Sequence, residues 1–216
     1  MKVKSAAAES GELLRQRYRA VRALTELLVA PLGPEDQCIQ SMPDASPTKW
    51  HLAHATWFFE AFVLQRYDPD YRPRDERYPY LFNSYYEAIG PRHPRPQRGM
   101  LSRPTVDEVM RYRAHVDAAM AHLLDSDEYC TDAHFAALVE LGINHEQQHQ
   151  ELILTDIKHA LYQNPLLPAY RQDAPGAVQP APELRWLDFS WGIKNIGYRG
   201  EGFAFDNEKP RHQVWL

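Results

Sequence analysis

The sequence predicts a mainly α protein: a four-helix bundle followed by a short β-containing C-terminal segment. Three observations carry this. Four stretches repeat apolar residues at helical spacing, and Gly and Pro gather between them. Beyond residue 164 the pattern changes to a Pro-rich run and then to short, aromatic, alternating pieces. A long connection separates the second stretch from the third, as the crossover of such a bundle requires.

Residues 9–30 carry Leu13, Leu14, Tyr18, Val21, Leu24, Leu27 and Leu28 at helical spacing and are closed by Pro31 and Gly33. Ser46-Pro47 reads as an N-cap followed by proline at the first helical position. The helix it opens runs through Trp50, His51, His54, Trp57, Phe58 and Leu64 and ends near Tyr67-Asp68-Pro69. Seven prolines from Pro69 to Pro104 make the connection a long ordered loop. Thr105-Val-Asp-Glu108 is a capping box for a third helix to about Leu124. Thr131 is the expected cap of a fourth, reaching Tyr162 before Asn164-Pro165 stops it. Gly142 lies inside that helix at a cost of about 1 kcal/mol relative to Ala. Five prolines between 165 and 182 form a linker, and Asn195–Tyr198, Phe203–Phe205 and His212–Leu216 read as strands.

The 216 residues hold 24 Lys and Arg against 29 Asp and Glu, a formal net charge of -5. That balance gives no drive toward nucleic acid or an anionic membrane. No apolar run approaches the roughly 20 residues of a membrane span, and the first residues lack the apolar region of a signal peptide. Cys38 and Cys130, with no CxxC, do not make a disulfide framework and fit a reducing, cytoplasmic setting. The length admits one large domain or one plus part of another. The unusual counts are 10 His, 5 Trp and 17 Pro.

His145-Glu-Gln-Gln-His149 places two imidazoles at i and i+4 on one helical face, able to offer one nitrogen each to a single ion. Leu138, Leu141, His145, His149, Leu152 and Asp156 follow a 3–4 spacing, which predicts that both rings face the bundle interior. Buried polar groups need partners. A third ligand is expected from the second helix, where His54 shares a stripe with Trp50, Trp57, Phe58 and Ala61. His51 lies about 60° away around the axis and reads as a residue behind a ligand or at the surface. Three neutral imidazoles leave coordination positions open, the condition for catalysis, and suit zinc, iron, copper or nickel alike. Two rival readings remain. Glu146-Gln-Gln-His149 is also the E-x-x-H of di-iron carboxylate bundles, for which no second E-x-x-H occurs and the second helix offers only Glu60. The histidines could instead form a metal-free polar core.

With Ser46-Pro-Thr-Lys-Trp-His-Leu-Ala-His54-Ala-Thr-Trp-Phe-Phe-Glu60 and His145-Glu-Gln-Gln-His-Gln-Glu-Leu152 in hand, residues 9–164 resemble the DinB-like helical domain of the ergothioneine-biosynthesis sulfoxide synthases. Residues 165–185 are the linker. Within 186–216, Gly202-Phe-Ala-Phe-Asp-Asn-Glu-Lys-Pro-Arg-His-Gln-Val-Trp-Leu216 resembles the opening strands of their second domain, of formylglycine-generating-enzyme (sulfatase-modifying) type, here incomplete. The resemblance implies a non-haem Fe(II) centre held by His54, His145 and His149. It implies an O2-dependent reaction joining the thiol of cysteine or γ-glutamylcysteine to the imidazole of hercynine as a sulfoxide. It assigns Gln148 to holding that imidazole. The proton-donor tyrosine and most hercynine-binding groups belong to the rest of the second domain, so a complementing C-terminal domain is an implied partner.

Arg92, Arg95, Arg98 and Arg103 lie in a stretch without acidic residues. Guanidinium forks bind carboxylates in bidentate fashion, and the family's thiol donors carry carboxylates, which nominates Arg92, Arg95 and Arg98 as a group; packing against other surfaces is the plainer role. Tyr85 and Tyr86 upstream are read as aromatic packing or pocket lining. The alternatives are a zinc- or nickel-dependent thiol S-transferase of the wider DinB-like group, against which the aromatic tail argues, and a non-catalytic helical interaction domain.

Overall fold

Four helices carry the core, and the computed structural model describes them within residues 6–84, 90–126, 129, 131–172 and 180–216, with side chains from residue 11 onward. Tyr85, Tyr86 and Cys130 lie outside the described residues. The chain divides into two compact units, 1–171 and 172–216.

In the first unit α1 spans Ala6–Val29, α2 Thr48–Phe58, α5 Val106–Leu124 and α6 Ala133–Gln163. The short helices α3 (Gln65–Tyr67) and α4 (Tyr78–Phe82) and a 3-10 turn at Arg95–Met100 occupy the region between α2 and α5. All eleven residues of α2 are buried, because α4, α5 and α6 all pack against it. This is the helix that the sequence makes richest in aromatics. Among the described residues, no helix is long and apolar enough to cross a membrane.

Several local expectations shift. The N-cap position of α2 is Pro47, not Ser46. Ser46 is used elsewhere: its amide donates to Asp156 and its hydroxyl accepts from Arg98. Asp132, not Thr131, caps α6, accepting from the amides of His134 and Phe135. The capping box of Thr105 and Glu108 is present as read. The second helix does continue toward Tyr67, but residues Phe59–Leu64 adopt a π-helical register.

Gly142 explains how α6 meets that segment. A Cβ there would stand 2.5 Å from Phe59 Cε1 and 2.9 Å from Phe58 Cε1. Both rings are buried, and Phe59 packs edge-on against Tyr18. Glycine is therefore a condition of the close approach of α6 to α2, not a flaw in the helix.

The buried stripe of α6 is also rotated from the expected one. It runs through Phe135, Val139, Gly142, Ile143, Glu146, His149, Ile153 and Ile157, whereas Leu152 is exposed and Leu138 and Leu141 are half-buried. His149 consequently lies on the buried stripe, and His145, half-buried, lies beside it.

In the second unit, β1 (Ile193–Ile196) pairs antiparallel with β2 (His212–Trp215) in the register Ile193 to Trp215 and Ile196 to His212. Gly197, at φ 108°, turns the chain out of β1 where a side chain would press on the backbone of Arg211. Phe203–Phe205 is not a strand. The Glu208 carboxylate accepts from the Phe205 amide at 2.8 Å, closing the 3-10 turn Asp206–Glu208 instead.

Candidate metal centre

His54 on α2 and His145 and His149 on α6 converge. His145 Nε2 lies 3.1 Å from His54 Nε2 and 3.1 Å from His149 Nε2. These three residues form a group able to hold a metal ion, each offering one ring nitrogen. Nitrogens at that separation can both lie about 2.0–2.1 Å from one ion.

The protonation pattern tests the fit, with tautomers assigned from the hydrogen-bond network. His54 Nδ1 donates to the Phe82 carbonyl at 2.5 Å, so its Nε2 carries a lone pair. That carbonyl is free to accept because it lies at the C-terminal end of α4, where helical carbonyls lack intrahelical partners. Trp50 uses the same end, donating from Nε1 to Leu81. His149 Nδ1 faces His51 Nδ1 at 2.8 Å, and His51 Nε2 faces Asp156 Oδ2 at 3.0 Å. Donation along this path from His149 to His51 to Asp156 leaves His149 Nε2 with a lone pair as well. His145 cannot satisfy both neighbours with one proton, and its Nδ1 is buried with no hydrogen-bond partner. Two inward lone pairs facing a third imidazole nitrogen fit a cation in place of a shared proton.

Electrostatics agree with neutral rings. Burial, reinforced by the neighbouring histidines, holds His54 and His149 well below the ordinary histidine pKa, and burial lowers His145 to about 4. Burial also lowers His51, although its bond to Asp156 opposes this. Near neutral pH the site therefore offers lone pairs rather than imidazolium charge.

Aromatic rings brace the ligands. Trp50 stacks on His54 with centroids 4.6 Å apart and planes 11° apart, Trp57 stacks on it from 5.8 Å, and Phe58 lies 4.9 Å from His145. His51 is buried, not superficial. Its role is to touch His149 from behind.

The remaining nominated residues are distributed. Gln148 is exposed on α6 beside His149. Arg92 is exposed and Arg95 half-buried, its guanidinium bonded to the Asp44 carbonyl. Arg98 is buried: Nη1 donates to Ser46 Oγ at 2.9 Å and the guanidinium lies 3.4 Å from the Trp50 ring centroid. Arg98 thus packs within the fold on the tryptophan that braces His54.

The carboxylates of a di-iron site are committed elsewhere. Glu60 accepts from Tyr112 at 2.6 Å and Tyr71 at 2.7 Å. Glu146 accepts from Arg22 at 2.8 Å, Thr25 at 2.7 Å and Arg113 at 3.1 Å. Burial pushes the Glu146 carboxyl up, but the charges of Arg22 and Arg113 outweigh it and hold the group at about 2. Arg22 also binds Asp117 at 2.7 Å, so this network ties α1, α5 and α6 together one residue from His145. Sequence reading missed Arg22 and Arg113. The available signal was that each occupies a position on an otherwise apolar stripe, Arg22 between Tyr18 and Thr25 and Arg113 between Val109 and Val116.

Compared with known proteins, no curated protein matches the chain significantly. Residues 17–153 match the family model of the DinB superfamily, covering all of α2 and α5 and most of α1 and α6. On that match, the three-histidine helical bundle belongs to the DinB superfamily.

Proposed function

We propose that this chain is the metal-binding part of a non-haem Fe(II)- and O2-dependent sulfoxide synthase that joins a thiol to hercynine. The observation that carries the reading is the convergence of three neutral imidazole nitrogens from two helices. A site closed by three side chains keeps positions for exogenous ligands. When bound, Fe(II) supplies the redox-active Lewis-acid chemistry that O2 use requires.

The chain's own residues bind and orient. His54, His145 and His149 hold the ion. Trp50 and Trp57 keep His54 in place. Exposed Gln148 stands beside His149, where its amide can donate to or accept from a substrate imidazole. Arg92, Arg95 and Arg98, as a group, are the arginines that would meet the carboxylate of cysteine or γ-glutamylcysteine. In the overall reaction the thiol S–H and an imidazole C–H are lost and a C–S bond forms. One O2 atom becomes the sulfoxide oxygen and the other leaves as water with the two hydrogens. A complementing C-terminal domain supplies the proton donor in this reading.

The test is incubation of Fe(II)-loaded protein, with and without such a C-terminal domain, with hercynine, the thiol and 18O2. The proposal expects a sulfoxide containing one labelled oxygen. Iron-loaded protein that makes no C–S product with the domain present contradicts it. Thiol transfer supported by zinc or nickel without O2 consumption points to the S-transferase instead, since imidazole ligands alone do not select the metal.

A further inference from the structure

We propose that Asp156 and His51 are positioning residues that fix the ring of His149 so that its Nε2 presents a lone pair to the metal. This rests on reading His54, His145 and His149 as a metal site. Asp156 Oδ2 accepts two hydrogen bonds, from the Ser46 amide at 2.8 Å and from His51 Nε2 at 3.0 Å. An ionised carboxylate only accepts, so the proton of the second bond belongs to His51 Nε2. A neutral imidazole has one donor and one acceptor, so His51 Nδ1 must accept. What faces it at 2.8 Å is His149 Nδ1. That nitrogen therefore carries the proton, and His149 Nε2, 3.1 Å from His145 Nε2, does not.

The path is shielded: His51 is 3% exposed and Asp156 8%, so water does not readily reverse it. It also meets a need. His54 obtains its tautomer from a helix-end carbonyl, whereas His149 lies in the middle of continuous α6, where carbonyls already accept from their own helix. His51 brings an acceptor across from α2, and Asp156, two turns beyond His149 on α6, orients His51. Ordering of a ligand imidazole by a second acceptor is a general device of metal sites.

Both bonds to Asp156 end on one oxygen. An asparagine oxygen at that place keeps the relay, and an asparagine at position 51 sets its amide oxygen where Nδ1 stood and keeps an acceptor for His149. Long-range 15N–1H NMR of the metal-free chain at neutral pH reads the tautomers directly, and Co(II) titration of the same proteins reads affinity. Wild-type, Asp156→Asn and His51→Asn proteins are expected to hold His149 as the Nδ1–H tautomer. Asp156→Ala and His51→Leu are expected to lose that single tautomer and bind Co(II) about 10–100-fold more weakly. Circular dichroism melting confirms that each variant is folded, and either loss variant suffices.

A wild-type His149 protonated on Nε2 overturns the proposal. So does a folded His51→Leu protein with wild-type tautomer and Co(II) affinity. A wild-type protein that binds no Co(II) overturns the metal reading beneath it, and this is distinguishable because the tautomers are read without metal.

Discussion

His54 Nε2 on α2 and His145 Nε2 on α6 lie 3.1 Å apart, although 91 positions separate them in the sequence. An ion bound there links α2 to α6 and does not bind the unfolded chain as well. Saturating metal is therefore expected to raise the melting temperature, by about 2.7 kcal/mol of stability at a free concentration 100 times the dissociation constant. Calorimetry with and without metal checks this, and the increment should vanish in His145→Ala.

Glu146 should be structural rather than a ligand. Its removal leaves the buried guanidiniums of Arg22 and Arg113 without the carboxylate they share, and breaking such a buried pair costs about 3–5 kcal/mol. Glu146→Gln should unfold at markedly lower urea. Any of the variant that remains folded should still bind one metal ion.

Gly142→Ala separates helix propensity from packing. Propensity alone favours alanine by about 1 kcal/mol. The new methyl would press on the Phe58 and Phe59 rings, and overpacking of a buried contact costs about 1–3 kcal/mol. A net loss of stability in chemical denaturation is expected, whereas a gain would remove the packing role assigned to this glycine.

The metal-free protein should lose stability in two steps on acidification. His145 is lowered from 6.5 to about 4 by burial, so its folded form binds fewer protons than its unfolded form between those values. Its contribution is complete above pH 6.5 and lost as pH falls through about 4. Glu146, held at about 2 against 4.5 unfolded, contributes on the order of 3 kcal/mol above pH 4.5 that disappears as pH falls through about 2. Stability measured across pH should show the lower step in wild-type protein and not in Glu146→Gln.

How much of this was readable in the chain depends on whether the signal is local. The capping box at Thr105 and the HxxxH spacing are properties of a few consecutive residues, and both stand in the structure. His54 could be nominated because its stripe of Trp50, Trp57 and Phe58 marks an interior face. The α6 stripe was misplaced because Leu138, Leu141 and Leu152 imitate the period of the buried face, while Gly142 and Glu146 belong to it for reasons that exist only across helices. One is the volume of Phe59 and the other is the charge of Arg22 and Arg113. Ser46 illustrates the same limit, since a residue that looks like a local cap is used by Asp156, 110 positions away.

The most direct test of the central claim is metal stoichiometry. Protein purified without oxygen and equilibrated with Fe(II) should bind one ion per chain, and His54→Ala, His145→Ala and His149→Ala should each lose it while remaining folded. Wild-type protein that binds no iron, or three folded variants that bind it as well as wild type does, would contradict the assignment of these histidines as ligands.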